Sequence, residues 1–269
     1  MKKQYKLGVI GCGFIGETIL KGAVLSDFLR GKKIIVSDIA EENLDKADEL
    51  GVHVTTDNKF VAENSEFLLL AVKPSDFAGV VDSLHGYRPD KVISVMLGVK
   101  KNTIKNALGV GLIKVARCAL NLPCTIGSGA IGLDMTDFNK SNDDTDFIYS
   151  LFAQLGTIVS VDESKVDAVT ALTVNGPASV IMFIDSLIEA GVRQGLPRSE
   201  AKILAVQTVL GSAEMVQREE NTVSELLSLA CRGGTGIEAV KTLEERGLRQ
   251  IVCDTVEACA SRAKELYGK

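Results

Sequence analysis

Leu7-Gly8-Val9-Ile10-Gly11-Cys12-Gly13-Phe14-Ile15-Gly16 sets three spaced glycines between two apolar patterns. The apolar run Tyr5–Ile10 predicts a buried strand, and Phe14–Ser26 has helical spacing. Between them stands a G-x-G-x-x-G. After a strand and opening a helix, this pattern is the fingerprint of a dinucleotide-binding loop. Gly11 permits the tight turn, Gly13 lets backbone approach a pyrophosphate, and Gly16 lets the helix pack closely on the strand. The first amides of the helix then face the phosphates. A Gly-rich turn in some other α/β domain is the competing reading, and the agreement of context and spacing disfavours it.

Beyond the loop, Ile34–Ser37 reads as a second strand, followed by Asp38. An acid there can accept both hydroxyls of an adenosine ribose and repels a 2′-phosphate. Ile39, Ala40, Glu41 and Glu42 follow, with no Lys or Arg among them. That combination favours NADH. The plainer reading is that Asp38 caps the next helix. Alternation continues: a helix over Glu41–Leu50, a strand at Val52–Val54, a helical turn near Asn58–Glu63 and a strand over Phe67–Val72. Ser75–Leu84 and Lys101–Leu108 read as helices, with a strand at Val92–Val95 between them. Apolar runs at Leu112–Val115, Gly129–Leu133 and Thr157–Val161 extend the sheet, with a helix over Asp143–Leu155. Near-continuous apolar strands alternating with helices predict an α/β Rossmann-type domain with a mostly parallel sheet covered on both faces.

From about Glu163 the pattern is helical. Val166–Arg193 carries a long run containing Asn175-Gly176-Pro177, and Gly195-Leu196-Pro197 breaks it. Ser199 reads as the N-cap of Glu200–Arg218. Thr222–Leu229, Gly236–Arg246 and Leu248–Tyr267 follow. The expected division is a dinucleotide-binding domain over 1–162 and an all-helical domain over 163–269. Segments such as Ala178–Ile188 and Ile203–Val216 are apolar on more than one face, which one small core cannot satisfy. A second copy of the chain is the expected partner, giving a homodimer or higher homo-oligomer through the C-terminal helices.

Composition bounds the rest. Lys plus Arg is 30 and Asp plus Glu is 35, a net charge of −5, with no Trp and 4 Tyr. This argues against nucleic-acid partners and anionic membrane surfaces. The six Cys are scattered without a CxxC, so no metal site is expected and the thiols read as reduced, in the cytoplasm. Met1-Lys2-Lys3 before Cys12 could be mistaken for a lipoprotein signal; Leu7–Ile10 is too short for its apolar region. No segment is expected to reach the length of a membrane span. Only His53 and His85 are present, both expected in solvent, so the chemistry must not need a histidine.

Leu70-Ala71-Val72-Lys73-Pro74, placed after the fingerprint, resembles the pyrroline-5-carboxylate reductase family. Asp167-Ala168-Val169-Thr170, Gly176-Pro177-Ala178, Glu189-Ala190-Gly191-Val192, Gly195-Leu196-Pro197, Gln207-Thr208, Gly233-Gly234-Thr235 and Leu243-Glu244 follow in the order of that family. The resemblance covers essentially the whole chain. It implies NAD(P)H-dependent reduction of a cyclic imine, 1-pyrroline-5-carboxylate, to L-proline in proline biosynthesis. It also implies a helical dimerisation domain and active sites at the subunit interface. It marks Ile10, Gly11, Cys12, Gly13, Phe14, Ile15, Gly16, Asp38, Asn58, Ala71, Val72, Lys73 and Pro74 as cofactor positions. Asp38 falls where many members carry Ser, Asn or Arg, and Asn58 leaves NADPH open. Lys73 reads equally as a surface lysine, and the backbone of Ala71 and Val72 is the safer contact.

The substrate side departs from the family. Its Ser-Gly-Pro-Ala-Tyr is Asn175-Gly176-Pro177-Ala178-Ser179 here, and its Met-Pro-Asn-x-Pro is Ala119-Leu120-Asn121-Leu122-Pro123. Its Ser-Pro-Gly-Gly-Thr-Thr is Cys231-Arg232-Gly233-Gly234-Thr235-Gly236, so the second Thr is absent. Gly233, Gly234 and Thr235 offer amides and a hydroxyl to a substrate carboxylate. Arg232 either pairs with it or is solvated. Asn175 either bonds the substrate or caps a helix break. Thr235 and Asn175 are the candidate catalytic groups. Two further readings stand beside this one. The first is a diverged paralogue acting on another imine or a β-hydroxy or β-keto acid. Against the β-hydroxyacid dehydrogenases, Lys165 is followed four residues later by Val169 rather than Asn. The second is a non-catalytic dinucleotide-binding protein.

Overall fold

The computed structural model describes residues 3–109, 112–138, 142–218, 220–232 and 234–267. Compactness divides the chain into Met1–Asn175 with Cys259–Lys269, and Gly176–Ala258.

The first unit alternates strands and helices. Its elements are β1 (Tyr5–Ile10), α1 (Phe14–Leu25), β2 (Ile34–Ser37), α2 (Glu41–Asp48), β3 (His53–Thr55), α3 (Asn58–Asn64), β4 (Ser65–Leu70), α4 (Phe77–Ser83), β5 (Lys91–Ser94), α5 (Lys101–Leu108), β6 (Lys114–Ala119), β7 (Gly129–Asp134), α6 (Asp143–Ala153), β8 (Gly156–Ser160) and α7 (Glu163–Val169). Among the described residues the strands form one eight-stranded sheet in the order β3-β2-β1-β4-β5-β6-β7-β8. All neighbours are parallel except β6 and β7. The connection between those two, residues 120–128, is shorter than the dozen or more residues a parallel crossover needs.

Successive strand residues face opposite layers, as the two-residue period requires. Leu7, Val9, Ile34, Val36, Phe67 and Leu69 pack with α1 and α6, while Ile10, Ile35, Leu68 and Leu70 pack with α3, α4 and α5. The N-terminal apolar run is therefore a central strand of the sheet. β4 and β6 depart furthest from their apolar runs. β4 stops at Leu70, and Ala71 and Val72 after it are half-buried. β6 begins at Lys114; Leu112 is apolar but fully exposed in the preceding loop.

The second unit contains α8 (Gly176–Arg193), α9 (Arg198–Arg218), α10 (Val223–Ala230), α11 (Thr235–Glu245) and most of α12 (Leu248–Tyr267). α8 and α9 pack through Ile188, Ala201 and Ala205. Arg198 pairs with Glu189 and Asp185 across that hairpin. Ser199 does not cap α9: the helix starts at Arg198, and the Ala201 amide already donates to the Pro197 carbonyl. Thr222 lies outside α10 and caps it in a reciprocal capping box with Glu225.

The expectation that no segment reaches membrane-span length needs correction. Glu163–Arg193 forms a helical run of 31 residues containing an 18-residue window of mean hydropathy 1.5, long and apolar enough by those measures to cross a bilayer. The sequence reading took Val166–Arg193 as one plain helical pattern around Asn175-Gly176-Pro177. A π turn over Thr170–Val174 carries the helical run from α7 into α8. Val180, Ile181, Met182 and Phe183 on α8 are exposed, as are Ile203, Leu204, Leu210 and Met215 on α9. Among the described residues, apolar side chains exposed in this number mark an interaction surface.

Candidate functional site

The loop after β1 is built by three glycines with different duties. Gly11 has φ +93°, and a Cβ on it would stand 2.8 Å from the Ala71 carbonyl oxygen. A Cβ on Gly16 would overlap the Gly11 carbonyl, so α1 can start this close to β1 only with glycine there. Gly13 differs: a Cβ on it would meet nothing within 4 Å. It caps α1 without a side-chain bond, and the first helical bond runs from the Glu17 amide to the Gly13 carbonyl. The amides of Phe14 and Ile15 therefore point from a helix N-terminus with no protein acceptor among the described residues. An open space bordered by free amides suits a pyrophosphate, and the residues present fit a dinucleotide on that observation.

Strand register gathers the other positions at the same sheet end. Ile10 is opposite both Ser37 and Leu70. The Gly11 amide donates to the Ser37 carbonyl at 2.8 Å, and the Ala71 amide to the Ile10 carbonyl at 2.9 Å. The loops 11–16, 38–40 and 71–74 thus leave the sheet side by side. Asp38 Oδ2 accepts from the Cys12 amide at 2.6 Å, and Oδ1 accepts from the Ala40 amide at 2.8 Å. Its carboxylate closes a local turn before α2, and it also lies against the glycine loop. Cys12 is a neutral packing residue. Burial first, then the charges of Asp38 and Glu17, push its thiol up to about 11.

Asn58 opens α3, where Asp57 caps the helix. Its Oδ1 accepts from Ser37 Oγ at 2.6 Å, and its Nδ2 donates to Ser83 Oγ at 2.9 Å. It stitches the end of β2 to α3 and α4, with one amide hydrogen left over. The buried Ser37 is a partner that the sequence reading missed; a hydroxyl ending an apolar strand was the available signal. Lys73 is exposed without an ion pair among the described residues, and Pro74 begins a 3₁₀ turn ahead of α4. Phe14 is exposed and Ile15 half-buried.

On the substrate side, Asn175 is exposed at the end of the π turn and makes no side-chain hydrogen bond among the described residues. Gly233 lies outside the described residues. Gly234 caps α11, which begins at Thr235, one residue earlier than its periodicity suggested. Thr235 and Arg232 are exposed, and Arg232 has no ion pair among the described residues. A Cβ on Gly236 would overlap the Ala230 carbonyl, so the departure at this position is built into the backbone path. Asn121 is buried, and its Oδ1 accepts from the Ala130 amide at 3.0 Å, holding the loop that enters β7. His53 and His85 are both exposed, and the His53 ring packs edge-on against Tyr5.

The sequence reading also missed a buried ionic network. Lys101 Nζ lies 2.8 Å from Asp134 Oδ2 and 3.2 Å from Asp137 Oδ1. Burial alone would lower the Lys101 pKa; Asp134 and Asp137 together outweigh it and raise it above the ordinary value. Arg117 on β6 reaches Glu163 and Asp167 on α7.

The strand order and the glycine cradle define a nucleotide-binding α/β domain, joined in sequence to a helical region. Residues 6–98 match the family described as NADP oxidoreductase, coenzyme F420-dependent, and residues 163–266 match pyrroline-5-carboxylate reductase dimerisation. The chain is 34% identical over 262 residues to a pyrroline-5-carboxylate reductase of Aquifex aeolicus, covering 97% of each. It is similar to the structure of a pyrroline-5-carboxylate reductase from Coxiella burnetii, with TM-score 0.87, 30% identity, and coverage of 98% and 99% of the two chains. It is also similar to the Plasmodium falciparum pyrroline carboxylate reductase with NADP bound, with TM-score 0.85, 26% identity, and coverage of 98% and 99%. The chain belongs to the pyrroline-5-carboxylate reductase family.

Proposed function

We propose that the protein reduces the C=N bond of 1-pyrroline-5-carboxylate to give L-proline, using a reduced nicotinamide dinucleotide, with NADH favoured over NADPH. The observation that carries this reading is full-length similarity to reductases of that name, across both the glycine loop and the helical region. When bound, the nicotinamide supplies the hydride. The chain's own task is to hold two partners at near-attack distance. The open face of Gly13 and the Phe14 and Ile15 amides would receive the pyrophosphate. Asp38 would accept the ribose hydroxyls, and its charge would disfavour a 2′-phosphate. The backbone of Ala71 and Val72 would border the nicotinamide half.

A protonated imine is already an electrophile. Its nitrogen carries the proton that the product amine keeps, so no histidine is required. Thr235, Gly234 and Arg232 are assigned to the substrate carboxylate, and Asn175 to the substrate ring. Residues 1–162 serve the dinucleotide, and 163–269 serve subunit pairing. The exposed apolar faces of α8 and α9 support a homodimer.

The test is an absorbance assay with NADH or NADPH and 1-pyrroline-5-carboxylate, then with other cyclic imines and β-keto acids. Oxidation of the dinucleotide with the first substrate supports the reading. Turnover only with another panel member replaces the substrate. Dinucleotide binding without turnover on any member removes the enzyme reading.

A further inference from the structure

Arg117 is 3% exposed, a full positive charge inside the sheet layer. Its Nη1 lies 3.2 Å from Glu163 Oε1, and its Nη2 lies 3.4 Å from Asp167 Oδ1. The two acids are four residues apart on α7 and so share one helix face. Glu163 Oε1 also accepts from the Lys101 amide at 2.6 Å, at the start of α5, where Lys100 offers no side-chain cap. One carboxylate therefore joins α5, β6 and α7. A third anchor lies on β7: a Cβ on Gly132 would stand 2.6 Å from Val169 Cγ1, so the end of α7 is seated directly on the sheet.

These anchors fix both the height and the axial rotation of α7. The helical run then enters the π turn of Thr170–Val174, where the Thr170 and Thr173 hydroxyls donate to the Val166 and Val169 carbonyls. A π turn inserts one extra residue into the helix. At about 3.6 residues per turn, that rotates the next side chain by roughly 100°. Asn175 is the first residue past the turn. Where it points is set by the phase of α7 and the single inserted residue. Burying an ion pair contributes little net stability compared with apolar packing. What a two-pronged guanidinium adds is orientation, which a lysine's point charge does not reproduce.

We propose that Arg117 is a positioning residue for the imine reduction. By gripping Glu163 and Asp167, it sets the rotation at which α7 passes through the π turn and presents Asn175 to the substrate. This rests on the reductase reading above, and it separates the two ends of the reaction. The glycine loop and Asp38 stand on other strands, so dinucleotide binding is independent of the Arg117 grip.

The experiment compares Arg117→Met, Arg117→Lys and Glu163→Gln in the full-length protein. The KM for 1-pyrroline-5-carboxylate, kcat, and the Kd for NADH by fluorescence are measured for each. Amide hydrogen exchange over residues 166–175 is followed in parallel. The expected result for Arg117→Met is a KM raised about 10- to 100-fold, the cost of misplacing a contact by about an ångström. NADH Kd should stay within about twofold. Exchange should quicken over 166–175 and remain unchanged in β1 and β4. Arg117→Lys should recover part of the KM loss, and Glu163→Gln should follow Arg117→Met. If Arg117→Met does not fold, the other two variants carry the comparison. An unchanged KM in a folded variant, or KM and NADH Kd rising together, would overturn the proposal. If the wild-type protein does not reduce the imine, the reductase reading fails. The exchange comparison then decides the positioning claim alone, and unchanged exchange over 166–175 rejects it.

Discussion

Gly13→Val separates binding from folding more cleanly than any other change in the glycine loop. Gly13 has φ −67° and ψ −167°, extended backbone that any residue adopts, and a Cβ there meets nothing within 4 Å. Valine at the N-cap should therefore cost the fold only about 1 kcal/mol. The same side chain would occupy the open space bordered by the Phe14 and Ile15 amides. A phosphate must approach an amide to about 2.9 Å to be bonded by it. Two charge-assisted bonds worth about 1.5–3 kcal/mol each would be lost, roughly 3–6 kcal/mol in all. That corresponds to a weakening of about 10²- to 10⁴-fold in Kd. The assay is NADH fluorescence titration beside thermal unfolding of the same preparation. Gly16→Ala is the control in the opposite sense: its Cβ overlaps the Gly11 carbonyl, so it should lose roughly 1–3 kcal/mol of stability or more. A folded Gly13→Val protein that binds NADH within about threefold of wild type would refute the assignment of the loop to the pyrophosphate.

Asp38→Ser should move the NADPH-to-NADH ratio of kcat/KM toward NADPH by about 10- to 100-fold, the worth of one charge-assisted bond; an unchanged ratio means that Asp38 does not read the ribose. Gly236→Thr should destabilise the protein by roughly 1–3 kcal/mol, since its Cβ runs into the Ala230 carbonyl, and an unshifted melting temperature would contradict that backbone path. Asp137 supplies a pH test. Burial alone would raise its pKa, but hydrogen bonds from Lys105, the Val115 amide and Lys101 outweigh it and hold it below the ordinary value. A lowered folded pKa means that its stabilisation is complete above the unfolded carboxylate's range of about 3.9 and is lost as pH falls through the folded value. In acid unfolding, wild type should therefore lose more stability than Asp137→Asn; parallel curves would show that the bonds to Asp137 do not stabilise the fold.

Much of the α/β half was legible because its information is local. The glycine spacing, the apolar strands and the helix periods each occupy a few consecutive residues, and β1, β2, α5 and α12 match their sequence readings. Errors arose where distant residues decide the outcome. Leu112 looks like strand but lies in solvent, while Arg117 interrupts the apolar run of the true strand β6. The partners that make a buried arginine tolerable are Glu163 and Asp167, far along the chain. The same holds for Lys101, whose acids lie on and beyond β7. Val166–Arg193 reads as one helical run, but nothing local marks the π turn over Thr170–Val174, where Thr170 and Thr173 bond their own helix. The bond between Asp38 and the Cys12 amide joins two strand ends and has no local signature.

Product analysis decides whether the protein makes proline. The full-length protein would be incubated with 1-pyrroline-5-carboxylate and NADH, and proline measured alongside the dinucleotide oxidised. One L-proline should form for each NADH consumed, with no consumption without the imine. NADH that is bound but not oxidised, or oxidised without proline, would contradict the reductase reading.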